Sequence, residues 1–253
     1  MKYISKLFVL LSVIFISTFC IAGTISPDRS DSKYTEYANK YDCVFKIITK
    51  KKNKITSSSS CVAINNKWLL TAAHIFENKK DHDTFVIINN RQYLVSKVFI
   101  HNKFDSDKIG YNDIALCLLV ENITIPIKYP KLYDNENEKN KIADIIGWGV
   151  TGSFNKGASF DDSKIRCGTN RISGIEKHLL MCDTSRSDES SPLEFLISHG
   201  DSGGGLFIDN KLAGINSLVF SKDGKPDSSW TDESGHTRIS LFIDWINNTI
   251  SKN

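Results

Sequence analysis

Between residues 43 and 220 the chain consists of short apolar runs cut off by polar turns, a pattern that suits many short strands better than helices. Val44–Thr49 and the stretch from Ile55 to Ile64 flank a Lys-Asn turn near Lys52. Thr84–Ile88 and Tyr93–Ile100 flank Asn89-Asn90, and Leu206–Ile208 and Leu212–Phe220 flank Asp209-Asn210. Trp68–Leu70, Ile114–Val120 and Ala143–Ile146 add further strand-like runs. One helical face is expected, from Phe242, Trp245, Ile246 and Ile250 near the C terminus, and a short helical turn around Tyr34 to Tyr41. Strands that do not alternate with helices favour a barrel or sandwich over α/β layers. The expected fold class is all-β with a short C-terminal α-helix over about 240–251.

Residues 1–22 stand outside that domain. Lys2 and Lys6 precede the apolar run Leu7–Ile21, and Cys20-Ile21-Ala22 leads to Gly23, the layout of a signal peptide cleaved after Ala22. An uncleaved anchor would need roughly 20 apolar residues, more than this run supplies. Bulky Phe19 argues against lipoprotein processing at Cys20. The expected product is a secreted or periplasmic domain, 23–253, with no stable membrane anchor.

The full chain carries 32 basic and 29 acidic side chains. Losing Lys2 and Lys6 brings the mature chain close to neutral, which removes any global electrostatic case for nucleic acid. The one basic cluster, Lys50-Lys51-Lys52-Asn53-Lys54, reads as a solvated hairpin turn. No metal-binding spacing is present, and no metal or cofactor is expected. Of the five cysteines after residue 22, Cys43 and Cys61 are equidistant from Lys52, so a hairpin folded there sets them opposite each other as a candidate disulfide. Cys167 and Cys182 flank a turn near Gly174 and form a second candidate pair, leaving Cys117 over.

Three features carry potential chemistry. His74 follows Thr71-Ala72-Ala73 at a strand end, where it is either a satisfied core histidine or a presented base. Asp113 heads the run Ile114–Val120, either as an ordinary strand-starting acid or as a buried carboxylate orienting a base. Ser202 lies in His199-Gly200-Asp201-Ser202-Gly203-Gly204-Gly205, where the glycines allow a sharp loop with N–H groups aimed at one point. A plain glycine-rich turn before a strand has the same composition.

In this order, these motifs resemble the chymotrypsin/trypsin-like serine peptidases. Trp68–His74, Asp113–Leu116, Gly147-Trp148-Gly149, Gly200–Gly204, Gly214–Ser217, Thr237–Ile239 and Trp245-Ile246 carry the resemblance, from about residue 40 to the C terminus. It implies two antiparallel β-barrels, about 41–125 and 140–240, with the polar connector between them and the active site in the cleft. It implies Ser202 as nucleophile, His74 as general base and acid, and Asp113 as the residue orienting His74, the chemistry of a serine endopeptidase acting on protein or peptide substrates as a monomer. The oxyanion hole falls to the N–H groups of Gly200 and Ser202. Ser217 is expected beside Asp113, and Ser217, Leu218 and Val219 along the substrate. Leu196 is expected at the pocket floor, His199 at the cleft rim, and Asp201 as the anchor of a new N terminus.

The departures from the family pattern also matter. Ile75 and Ser198 stand where cysteines are common, which points to a bacterial-type member. No Arg or Lys precedes an Ile-Val-Gly-Gly sequence, so cleavage of the signal peptide, freeing Gly23 or an amine near Ile25, is the candidate activating event. Leu196 and Val219 imply a narrowed apolar pocket. The same triad would also serve an esterase, and the same fold a catalytically silent binding or adhesion module.

Overall fold

The computed structural model describes residues 23–184 and 191–253; the expected signal peptide lies outside the described residues. Two closed six-stranded antiparallel barrels make up the body. The first contains β1 (Val44–Lys51), β2 (Lys54–Ala63), β3 (Trp68–Thr71), β4 (Asp83–Ile88), β5 (Arg91–Ile100) and β6 (Ala115–Leu119), closed in the order β1-β2-β3-β6-β5-β4. The second contains β7 (Ile142–Gly147), β8 (Arg166–Glu176), β9 (Leu179–Asp183), β10 (Gly205–Ile208), β11 (Lys211–Phe220) and β12 (Glu233–Arg238), closed as β8-β9-β12-β11-β10-β7.

The tight turns follow from residue type. Lys52-Asn53, Asn89-Asn90 and Asp209-Asn210 all have positive φ at both positions, the backbone that matches a two-residue hairpin to strand twist. Asn and Asp tolerate this left-handed region better than most side chains. Along β4 the burial alternates, with Thr84, Val86 and Ile88 inward, as a half-buried strand requires.

The N-terminal segment docks on the second barrel. Thr24–Ile25 forms a strand antiparallel to Phe195–Leu196 and parallel to Thr151–Ser153. Helix α1 (Asp31–Tyr37) follows, and its Tyr34 is fully buried with its hydroxyl donating to the Glu194 carbonyl. The guanidinium of Arg166, almost wholly buried, forms paired bonds with Asp31 and with Asp162 and so clasps α1 to β8. Helix α2 (Ile243–Ser251) closes the chain and buries Ile246 after the buried Phe242. His101 of the first barrel packs edge-on against both Phe242 and Trp245.

Strand register overturns both cysteine pairings. The β1–β2 turn is centred between Lys52 and Asn53, and an irregularity at Thr49/Lys50 shifts the pairing again, so Cys61 faces Phe45. Cys43 instead accepts a bond from the Ala63 N–H at its carbonyl. The β8–β9 turn falls at Lys177-His178, beyond Gly174, so Cys182 pairs with Ile172 and Cys167 pairs with Ile146 on β7. Cys43, Cys61, Cys117, Cys167 and Cys182 are all free buried thiols, with Cys117 no different from the rest. Burial pushes the Cys43 thiol up to about 12 and raises the others further.

Candidate active site

His74, Asp113 and Ser202 come from three separate elements and meet between the barrels. β3 ends at Thr71, and His74 opens a single helical turn, His74–Phe76. Asn112, with φ of 51°, and the following Asp113 lead into β6. Ser202 sits on the loop before β10.

The ring of His74 bridges the other two. Its Nδ1 lies 2.7 Å from Asp113 Oδ2 and its Nε2 lies 3.0 Å from Ser202 Oγ. Asp113 is buried, and its Oδ1 accepts the His74 main-chain N–H at 2.9 Å. Ser217, as expected beside it, donates its hydroxyl to Asp113 Oδ2. Burial would raise the Asp113 carboxyl, but bonds and charge from His74 and the Ser217 hydroxyl outweigh it and hold the group below its ordinary range. An ionised carboxylate on Nδ1 keeps the proton there, leaving Nε2 with its lone pair toward Ser202. Such a row can draw the hydroxyl proton away as the oxygen attacks a carbonyl.

Between Gly200 and Gly204 two loop amides are unused. Asp201 N–H bonds to the Ser198 carbonyl, Gly203 N–H to the Asn216 carbonyl and Gly204 N–H to the Asp201 carbonyl. The Gly200 and Ser202 N–H groups have no hydrogen-bond partner among the described residues. Those are the two donors an oxyanion would need. Gly200 and Gly203 both have positive φ, 89° and 83°. A side chain at Gly203 would collide with Thr71 Oγ1 and the Ser60 carbonyl.

Sequence reasoning missed the support beneath this loop. Ser60, within a run of four serines, donates its N–H to the Ser202 carbonyl at 2.8 Å and its hydroxyl to the Gly200 carbonyl at 2.9 Å. It also accepts the Trp148 N–H, while Thr71 donates to the Ser60 carbonyl. Nothing in the local sequence marks Ser60 from its neighbours. From Ser59 to Ala63 every residue of the strand is buried, so alternation does not single Ser60 out either.

Asp201 is fully buried and faces away from His74's ring nitrogens. Its Oδ2 accepts from Gly23 N at 2.7 Å and Ser198 N at 2.9 Å, and its Oδ1 accepts from Gly149 N at 2.9 Å. Burial pushes its carboxyl up to about 6 despite those three bonds. A Cβ at Gly147 would lie 2.3 Å from Asp201 Oδ1, and one at Gly149 would lie 2.4 Å from Asp201 N. The glycines around Trp148 therefore make room for Asp201 as well as for a bend.

A cavity of about 420 Å³ opens beside the row, walled by Ile197, Ser198, Leu218, Val219 and Pro226 with His199 at its exposed mouth. Leu196 is fully buried, with its main chain paired to Thr24, and lies outside that wall. Ile197 takes the position expected of it. The same cavity is also lined by Phe104, Asp105, Lys108 and Ile109 from the loop between β5 and β6. Asp232, buried behind Ser228, is also outside the wall.

The sequence profile of the Trypsin family matches residues 33–246. Chymotrypsin of Phaedon cochleariae is 29% identical over 205 residues, covering 72% of this chain and 68% of that protein. Glucanase inhibitor protein 3 of Phytophthora sojae is 23% identical over 211 residues, covering 78% and 75%. Both sources are eukaryotic, and neither bears on the bacterial affinity expected from the missing cysteines. Among solved structures, neuropsin, described as a serine protease expressed in the limbic system of mouse brain, superposes with a TM-score of 0.62. That match covers 81% of this chain and 93% of neuropsin at 20% identity, a likeness of fold. With the profile spanning both closed barrels, the assignment is direct: this chain belongs to the Trypsin family.

Proposed function

We propose that the protein is an exported serine endopeptidase that hydrolyses peptide bonds through an acyl-enzyme on Ser202. The supporting observation is the unbroken row Asp113–His74–Ser202 beside two unused amides. In acylation Ser202 Oγ bonds to the carbonyl carbon while His74 Nε2 takes the hydroxyl proton. The Gly200 and Ser202 N–H groups hold the negative oxygen. His74 then returns the proton to the amide nitrogen as the carbon–nitrogen bond breaks. Water repeats the sequence to release the acid and restore Ser202. Asp113 fixes the imidazole tautomer and stabilises its cationic form.

The amine that completes the site is that of Gly23, released when the signal peptide is cut after Ala22. Gly23 N already lies 2.7 Å from Asp201 Oδ2 in a buried site. A side chain there would come within 2.2 Å of the Phe195 ring, so only glycine fits. Export and activation are then one event.

The preferred residue on the acyl side is small or medium-sized and apolar. Ile197, Leu218, Val219 and Pro226 make this wall apolar; the carboxylates of Glu77 and Asp105 line the cavity outside it, and a cation seated against the wall itself would be unpaired and costly. Profiling with a peptide library tests this, and a preference for Arg or Lys would overturn it.

A second reading is a catalytically silent module, since one relative is named as an inhibitor rather than a protease. An esterase using the same triad is a third. Wild type and Ser202→Ala assayed side by side on casein and on a small ester separate them. Cleavage of casein by the wild type alone supports the peptidase, ester turnover alone the esterase, and neither the silent module.

A further inference from the structure

The hairpin that carries Lys50, Lys51, Lys52 and Lys54 concentrates positive charge, and the acid that strand pairing sets against it is Asp83, opposite Lys50. Between Cys43 and Phe76 there are six lysines and no Asp or Glu. Lys51, Lys52 and Lys54 are exposed at the tip, with Ile55 beside them 62% exposed. Lys50 reaches Gln92 Oε1 and the face of Phe85. No ion pair among the described residues engages any of the four. The mature chain as a whole is nearly neutral, so this tip is a local positive pole on a molecule that is otherwise slightly acidic.

Its position relative to Ser202 is fixed by one strand. β2 starts at the tip with Lys54 and reaches Ser60, which bonds to the carbonyls of both Gly200 and Ser202. Six residues of strand span roughly 20 Å. Ser57, midway along, accepts from Lys79, whose ammonium also bonds to the Ile75 carbonyl next to His74. The hairpin therefore projects from the His74 side of the cleft. The apolar wall formed by Leu218 and Val219 belongs to β11 of the second barrel, and no residue of the hairpin lines that cavity. Since His74 hands its proton to the departing amine, this is the side on which the leaving half of a substrate extends.

We propose that the Lys50–Lys54 tip recognises an acidic segment of the polypeptide substrate, about six residues downstream of the bond that is cut. This rests on the reading of Ser202 as the nucleophile of a peptidase. Exposed charge pairs are individually weak, and two or three acting together give a preference of about tenfold, expressed in binding rather than in the chemical step.

The test uses two peptides alike through the cleaved bond, one with Asp and Glu placed six residues downstream and one with Asn and Gln there. Binding is read by fluorescence anisotropy on Ser202→Ala, and turnover on the enzyme with Ser202 intact. Each is measured with and without Lys51→Glu/Lys54→Glu, a pair that spares the turn residue Lys52. The expected result is about tenfold tighter binding and lower KM for the acidic peptide, lost at high salt and in the double variant. Turnover of a small ester stays unchanged in that variant. Equal binding of the two peptides, or a preference that survives the double variant, overturns the proposal. So does hairpin-dependent binding of a sulfated polysaccharide without discrimination between the peptides. If the acidic peptide binds selectively but nothing is hydrolysed, the tip stands as an acidic-segment site and the peptidase reading falls.

Discussion

The main-chain nitrogen of Gly23 lies 2.7 Å from the buried carboxylate of Asp201, the residue directly before Ser202. The first residue after the expected signal peptide is thus wired to the loop that presents the nucleophile. The same carboxylate holds Ser198 N and Gly149 N, so its loss would free three main-chain donors at once.

The active enzyme should begin at Gly23. N-terminal sequencing should return Gly-Thr-Ile-Ser, and a version extended by a few residues should lose activity by about a hundredfold, because no charged amine reaches Asp201. Gly23→Ala should be similarly impaired by its contact with Phe195. Full activity of an extended form, or a start well beyond residue 30, would contradict this.

Asp113→Asn should leave the fold intact and lower kcat by about 10⁴, since an amide no longer enforces the productive imidazole tautomer. Ser217→Ala removes only one bond to that carboxylate and should cost far less, about 1 kcal/mol at most in activation energy. Steady-state kinetics on one peptide substrate measures both. A Ser217 effect as large as that of Asp113 would contradict the assignment.

The fold and the row of site residues were largely legible in the sequence; registers and long-range packing were not. Asn89-Asn90 and Asp209-Asn210 announce their hairpins because few residues tolerate positive φ at two successive positions. His74, Asp113 and Ser202 stand out because each sits in a short motif whose neighbours match it. The Cys43–Cys61 pairing failed because an irregularity at Thr49/Lys50 shifts every partner beyond it, and the Cys167–Cys182 pairing because the turn lies at Lys177-His178 rather than near Gly174; apolar periodicity announces neither. Ser60 was invisible for another reason: its role depends on a loop that lies far away in sequence.

Five buried free thiols among the described residues predict indifference to reductant. Thermal midpoint and activity should be unchanged by dithiothreitol. A thiol reagent should modify none of the five in the native protein and all five after denaturation. A drop in midpoint on reduction would reveal a disulfide and contradict the register described.

His236 predicts a pH dependence of stability. It is fully buried, with Nδ1 2.9 Å from Asn216 Oδ1 and Nε2 without a partner among the described residues. Burial lowers it to about 3, from an ordinary value near 6.5. Between those values the unfolded chain binds a proton that the native protein refuses, so this group makes stability fall as pH drops from 6.5 toward 3. Urea midpoints of wild type and His236→Phe, compared between pH 7 and pH 4, isolate the effect. Wild type should lose more stability on acidification, and parallel curves would contradict the assignment.

Covalent labelling reads out whether Ser202 is the nucleophile. A fluorophosphonate probe should add one equivalent to the mature protein, map to the peptide containing Ser202, and fail to react with Ser202→Ala or with protein denatured beforehand. Absence of labelling in the folded wild type, or labelling that persists in Ser202→Ala, would contradict the account.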